Sequence, residues 1–367
     1  MKKYLYISVI ASFLFASCGE DEENSVAETT KPLKEAGAFS NSGGKVSLGE
    51  EITINYSIDW EQVDKASLNH NGKVLKEIKN SDANSFLFKT DGLLLGNHNF
   101  YLNLELKNGS KRSYTYSKEV LSRITPKQLE TKIINTYPHN ETSFTQGLEF
   151  SNGKLYEGTG APDGDMFETK IMQIDLATGN ALKEQNLSHQ YFGEGITIIG
   201  DSIYQITYTS NMCYIYDKNT LERINEFSYA GMTEKYEGWG LTHISNDTLV
   251  MTDGTNNLYF VDKSNFSLIK KVPVYNNLRS VQKLNELEYF NGKIYANVWT
   301  TDLIVSINPN TGEVIEEIHA DNLKLALTNS KYRAEVLNGI AYNKLDNKLY
   351  LTGKNWGSLF EVELIEQ

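Results

Sequence analysis

The chain has 367 residues, with 35 lysines and arginines against 47 aspartates and glutamates, a formal charge of −12. Apolar residues at 40% and charged residues at 22% exclude a disordered chain for most of the length, and the acidic balance excludes a nucleic-acid binder, which needs a basic face to displace counterions from phosphates. Two cysteines, Cys18 and Cys213, exclude a disulfide framework or a cysteine-ligated metal site, and six dispersed histidines without i, i+4 spacing argue against a histidine-rich zinc site. Length alone predicts two or three domains.

The N-terminus reads as an address. Lys2 and Lys3 precede an apolar stretch, Tyr4 to Phe15, of signal-peptide length and too short for a comfortable membrane span. It closes as Leu14-Phe15-Ala16-Ser17-Cys18, which resembles a bacterial lipobox, with Phe15 departing from the usual leucine. Residues 1–17 are thus predicted to be a lipoprotein signal peptide and Cys18 the acylated first residue of the mature chain. The other reading is an ordinary cleaved signal with an incidental cysteine. The run Gly19-Glu20-Asp21-Glu22-Glu23 resembles the surface-export signal of lipoproteins in Bacteroidetes-type bacteria, and equally serves as a solvated tether. Residues 18–42 are predicted to be an acidic, polar linker. The expected location is the envelope of a Gram-negative bacterium, on the periplasmic side or the outer-membrane surface, held to the membrane by the lipid alone.

Residues 43–123 alternate with period two, as in Ile52-Thr53-Ile54-Asn55-Tyr56, Phe100-Tyr101-Leu102-Asn103-Leu104 and Ser113-Tyr114-Thr115-Tyr116-Ser117. Turn pairs Asn71-Gly72 and Asn108-Gly109 separate the strands. Short strands without a helix pattern predict a small Ig-like β-sandwich, a spacer or docking module without chemistry.

Residues 125–367 carry an internal repeat. Gly147-Leu148-Glu149-Phe150, Gly195-Ile196-Thr197-Ile198, Gly240-Leu241-Thr242-His243, Glu286-Leu287-Glu288-Tyr289 and Gly339-Ile340-Ala341-Tyr342 follow one another at spacings of 48, 45, 46 and 53 residues. A turn and a second strand follow each signature, then a third strand ending at an acidic or amide turn such as Tyr216-Asp217, then an amphipathic fourth such as Ile224-Asn225-Glu226-Phe227. Four strands in about 45 residues is the arithmetic of a propeller blade. The last repeat stops at Gln367 after its third strand, and Thr131-Lys132-Ile133-Ile134-Asn135, ahead of the first repeat, is placed to supply the fourth. The predicted fold is all-β: a five-bladed β-propeller preceded by the sandwich, its ring closed by an N-terminal strand so that no sheet edge stays unpaired.

First strands line a propeller's channel, so the residues around the signature can converge at one mouth. They are Phe144 and Gln146; Phe192 and Glu194; Trp239; Asn285 and Glu286; and, at second strands, Tyr208, Trp299 and Lys354. Aromatic walls with a few amides and carboxylates suit a small polar substrate with an apolar stem. For any single aromatic, core packing between blades is the competing reading.

Phe144-Thr145-Gln146-Gly147-Leu148, Phe192-Gly193-Glu194-Gly195, Gly238-Trp239-Gly240-Leu241, Leu284-Asn285-Glu286-Leu287-Glu288-Tyr289, Ala296-Asn297-Val298-Trp299 and Leu351-Thr352-Gly353-Lys354 together resemble the plant and bacterial type of glutaminyl-peptide cyclotransferase. The resemblance spans all five blades in order and leaves out the sandwich. It implies an enzyme that cyclises the N-terminal glutamine of peptides or proteins to pyroglutamate with release of ammonia. It places the general acid/base on Glu194, for which the competing role is to brace a blade loop. Substrate contacts fall on Gln146, Asn285 and Lys354, with Phe144, Phe192, Trp239 and Trp299 as the wall. Lys354 could instead pair with Glu286 or Glu361. Tyr208 stands where the family usually has tryptophan, which puts binding strength or size preference in doubt. No metal, no organic cofactor and a monomeric state are expected.

Four further features are minor, and the first two are left open. Glu157 is a second carboxylate near the channel, structural or contacting the substrate amine. The stretch Ala320 to Glu335, with a helix-like Leu323-Lys324-Leu325-Ala326-Leu327, is a cover for the mouth or a surface insertion. Cys213 reads as a buried small hydrophobe, and Asp253-Gly254-Thr255 as a turn capped by its aspartate. Two rival functions remain: a non-catalytic propeller binding peptide N-termini or an envelope partner, and a metal-dependent lactonase or hydrolase using Glu194, Asn285 and Glu157.

Overall fold

The computed structural model describes residues 35–41, 43–161, 168–327 and 333–367. The expected signal peptide, Cys18 and most of the linker lie outside the described residues.

Two facing sheets form the N-terminal unit. Strands β1 (Gly37–Phe39), β3 (Glu51–Ile58) and β6 (Ser85–Lys89) make one sheet; β2 (Lys45–Ser47), β8 (Lys111–Leu121), β7 (Gly96–Leu106), β4 (Val63–His70) and β5 (Lys73–Ile78) make the other, in that order. The alternation seen in the sequence is the cause: Ile52, Ile54 and Tyr56 from β3 meet Phe100, Leu102 and Leu104 from β7 in one core. The sandwich begins earlier than residue 43, because β1 pairs with β3 from Gly37↔Ile58 and Ala36 is buried beside it.

The rest is five four-stranded antiparallel meanders. They are β10 (Thr145–Ser151) to β13 (Ala181–Asn186), β14 (Gly193–Ile199) to β17 (Arg223–Ser228), β18 (Leu241–His243) to β21 (Leu268–Pro273), and β22 (Leu284–Phe290) to β25 (Val314–His319). The fifth is β26 (Leu337–Asn343), β27 (Lys348–Gly353), β28 (Ser358–Glu366) and, as outermost strand, β9 (Lys127–Pro138). The register runs from Ser358↔Pro138 to Glu366↔Leu129, the closure predicted from the repeat. Beyond that prediction, β9 also runs parallel to β25, joining the last two blades into one eight-stranded sheet. Innermost strands are buried almost throughout. The fourth strands are more exposed than their amphipathic pattern implied: Ile224 is 58% accessible.

An innermost strand has one edge toward the channel, where its N–H groups meet no further strand. Buried glutamates supply the acceptors. Glu286 takes Leu148 N at 3.1 Å from the first blade and Ile340 N at 2.9 Å from the fifth. Glu149 takes Ile198 N at 3.0 Å and Glu288 takes Tyr342 N at 3.0 Å. Burial pushes Glu286 and Glu288 well above the ordinary carboxylate range and Glu149 up to about 7.

The helix-like stretch forms a single short helix, α1 (Asp321–Leu325). Its Leu323 is buried in the core shared by the fourth and fifth blades and β9, and Asn322 bonds Thr131 of β9, so α1 packs on the ring closure. Cys213 is fully buried, and burial raises its thiol far above the ordinary value, which fits the inert hydrophobe expected.

Candidate active site

One cavity of about 200 Å³ is lined by Phe144, Gln146, Phe192, Glu194, Tyr208, Trp239, Asn285, Trp299, Lys354 and Glu335. Nine of the ten side chains anticipated from the sequence converge there, and Glu335 joins them; Glu286 does not line the cavity and instead accepts from the Leu148 and Ile340 backbone. Their placement follows one rule. Phe144, Gln146, Phe192, Glu194, Trp239 and Asn285 sit at or just before the start of an innermost strand, while Tyr208, Trp299 and Lys354 each stand one residue past the end of a second strand. Both positions fall at the same end of every blade.

The rings pack edge to face, in two groups. Phe192 lies 6.1 Å from Phe144 and 5.9 Å from Tyr208, and Trp239 lies 5.3 Å from Trp299. All but Phe144 are only half-buried, unlike Trp356, which is buried in the core between the fourth and fifth blades. These rings are therefore a pocket wall and not blade filling. Gly254 makes room for that wall: its φ is +76°, and a Cβ there would stand 2.6 Å from the Trp239 ring.

Glu194 is 5% exposed, and among the described residues no hydrogen bond reaches its carboxylate. That removes the bracing role: what binds the neighbouring blade is the backbone of Gly195, whose N–H donates to Trp239 O at 2.8 Å. A Cβ at Gly195 would collide with the Leu241 backbone, which explains the glycine. Burial drives Glu194 well above the usual carboxylate range; Lys354 pulls it back and Glu237 pushes it further up. Lys354 is buried too and lowered by desolvation, with Glu194 and Glu335 opposing. The two groups' proton affinities are thus drawn toward each other. Lys354 Nζ stands 4.7 Å over the Phe144 ring. It pairs with neither alternative partner: Glu286 takes backbone N–H groups, and Glu361 is bound by Lys348 at 3.0 Å, Asn135 and Tyr137.

The amides are set by neighbours. Asn338 donates to Gln146 Oε1 at 3.2 Å and to Thr145 O at 2.9 Å, which leaves the Gln146 NH2 as a donor for a ligand. Asn285 Oδ1 is buried without a partner among the described residues, an acceptor that an N–H of a bound molecule would satisfy.

Glu157 resolves to a structural part. It lies outside the cavity and accepts from Thr145 Oγ1 at 2.7 Å, His139 Nε2 at 3.1 Å and Ser143 Oγ at 3.3 Å, bracing the loop that carries Phe144 and Gln146. The three-ligand set of a metal hydrolase loses a member accordingly. Asp253 caps its turn as expected, taking Thr255 N at 3.0 Å, and also binds Tyr259 OH at 2.8 Å. Of the long connection between the last two blades, Glu335 reaches the cavity, its backbone paired to Lys354. Glu237 was not anticipated either; it binds Trp239 Nε1 at 2.8 Å and Tyr208 OH at 3.2 Å. Its place two residues before Trp239, on the same side of an extended chain, was the signal available.

Known proteins are similar to this chain in sequence and fold. The sequence profile described as glutamine cyclotransferase matches residues 106–364, beginning inside the sandwich and so taking in β8 as well as the propeller. Over 237 residues, 64% of this chain and 71% of the relative, the chain is 34% identical to the glutaminyl-peptide cyclotransferase of Arabidopsis thaliana. The crystal structure of the Myxococcus xanthus glutaminyl cyclase matches with a TM-score of 0.60 and 34% identity, covering 66% of this chain and 99% of that one. By its profile, its relatives and its propeller, the chain belongs to the glutamine cyclotransferase family.

Proposed function

We propose that Glu194 is the general acid and base of a glutaminyl-peptide cyclotransferase acting on peptides with N-terminal glutamine. The reaction is internal. The α-amine nitrogen attacks the γ-carboxamide carbon, and Glu194 takes a proton from that nitrogen. The carbonyl oxygen becomes an oxyanion, stabilised by N–H donors of Gln146 and Lys354. Glu194 then returns the proton to the amide nitrogen, the C–N bond breaks, and ammonia leaves pyroglutamate behind. The aromatic rings hold the side-chain methylenes, and Asn285 Oδ1 accepts from a substrate N–H. A cavity of about 200 Å³ suits one side chain rather than a length of peptide.

The observation that carries this reading is a buried carboxylate with no protein hydrogen bond among the described residues, set in an aromatic pocket beside a buried lysine. Its test is ammonia release from a Gln-initiated dipeptide by the wild type and Glu194→Gln. Release by the wild type and its loss in the variant support the assignment; full activity in the variant moves the proton transfer elsewhere. No release from a folded wild type favours a propeller that only binds peptide N-termini.

The sequence further supports an envelope lipoprotein, acylated at Cys18, with an Ig-like spacer ahead of a monomeric propeller. Incorporation of labelled fatty acid into the wild type, and its loss in Cys18→Ser, tests the anchor, and sedimentation of the detergent-solubilised wild type tests the monomer.

A further inference from the structure

Tyr208 and Trp239 belong to adjacent blades, and each brings a polar atom into an apolar wall. A buried indole N–H or phenol O–H needs a partner. Both find the same one. Glu237 Oε2 accepts from Trp239 Nε1 at 2.8 Å, and Oε1 accepts from Tyr208 OH at 3.2 Å. The backbone of Glu237 is itself fixed by buried Thr233, whose hydroxyl donates to Glu237 O at 3.0 Å and accepts Glu237 N at 3.1 Å. The Tyr208 hydroxyl is therefore already engaged and makes a second tie across the blade seam.

We propose that Glu237 is a positioning residue, which locks Tyr208 and Trp239 into one wall and thereby sets the pocket for the substrate side chain. The proposal rests on the cyclotransferase reading. It carries a second consequence through charge. The groups acting on Glu194 are Lys354 and Glu237, with Tyr208 beside them and Tyr229 tied to Thr207 O; Lys235 lies over Trp239 and donates to Gly254 O. Removing the charge of Glu237 eases ionisation of Glu194, whereas removing the Tyr208 hydroxyl leaves that charge in place.

The experiment compares the full chain with Glu237→Ala, Glu237→Gln and Tyr208→Phe, measuring kcat and KM for a Gln-initiated dipeptide across pH and tryptophan fluorescence without substrate. Glu237→Ala and Tyr208→Phe are expected to raise KM, by roughly tenfold for the former, as loss of hydrogen bonds to a charged group implies. Glu237→Gln, which can accept from Trp239 and donate to Tyr208, restores KM. Both Glu237 variants move the acid limb of kcat/KM to lower pH, and Tyr208→Phe does not. Wild-type KM in both Glu237→Ala and Tyr208→Phe overturns the proposal, as does a fluorescence spectrum unchanged in both. Should Glu237→Ala not fold, Tyr208→Phe decides. An inactive wild type sinks the cyclotransferase reading instead, and the fluorescence arm still judges the bracket.

Discussion

In the proposed mechanism Glu194 accepts a proton and gives it back within one turnover, and its surroundings suit both steps. Burial makes the carboxylate more basic than an exposed one, and Lys354 keeps the ionised form accessible. Replacing Glu194 with glutamine preserves shape and removes both functions, so kcat should fall by about 10²- to 10⁴-fold with KM near the wild-type value; steady-state ammonia release checks this. Lys354→Met tests the other half. Loss of the positive charge makes Glu194 harder to ionise, so the acid limb of kcat/KM should move to higher pH, opposite to the shift expected for Glu237→Gln. An unmoved limb in Lys354→Met would mean that the lysine binds substrate without acting on Glu194. At this scale the sequence was informative where chemistry and resemblance coincide, at Glu194, Gln146 and the rings. It was silent on Glu335, whose role depends on a connection crossing to Lys354, and on Glu237, an ordinary loop glutamate until both rings point at it.

Strands and turns deliver those side chains, and here the 45-residue period made most of the architecture legible. The signature marks innermost strands because they are packed on both faces, which enforces apolar and small residues there. What the period could not reveal is the parallel contact of β9 with β25, a pairing of backbones that leaves no mark in side-chain pattern. Nor could it show that α1 serves the ring closure, since Leu323 is buried against residues nearly two hundred positions away. The turn after β19 (Thr248–Met251) gives a prediction at this scale. Gly254 combines a positive φ with a side-chain position already occupied by Trp239. Gly254→Ala must both strain the backbone and displace the ring. It should lower stability by about 1 kcal/mol or more and raise KM, measurable by denaturant unfolding and kinetics on the same preparation. A variant with unchanged KM would show that the Trp239 ring can move without consequence for the substrate.

Across the whole molecule, stability depends on contacts that join blades and join the two units, and both can be probed. In the channel, Glu149 and His243 lie 3.8 Å apart and titrate with opposite sign. Glu149, raised to about 7 by burial, holds its proton more tightly in the folded chain; its contribution is full below an ordinary glutamate value and is lost as pH climbs toward about 7. His243, lowered to about 4 by burial, behaves in reverse: its contribution is full above the ordinary histidine value and is lost as pH falls toward about 4. The two slopes oppose each other, so Glu149→Gln should make the melting temperature rise more steeply with pH between about 5 and 7 than in the wild type. Calorimetry at several pH values checks the sign. The seam between sandwich and propeller allows a sharper test. Tyr275, from the connection after β21, is 7% exposed and packs in the sandwich core against Gly96, while its backbone bonds Gly312 and Val314 of the fourth blade. Beside it, buried Glu313 accepts from Ser122 Oγ and Arg123 N, each at 3.2 Å, and Lys45 Nζ donates to Leu278 O at 2.7 Å. A small polar seam would let two units move and melt separately, but an aromatic buried in the sandwich core and tied by its backbone to the fourth blade couples them. The wild type should therefore unfold in one calorimetric transition. Tyr275→Ala, which removes a large buried side chain worth about 3 kcal/mol or more, should split it, the sandwich melting first because its core loses the ring. Cyclotransferase activity below that first transition should persist, since none of these residues lines the cavity. Two transitions already present in the wild type would mean that the Tyr275 contact is too weak to couple the units.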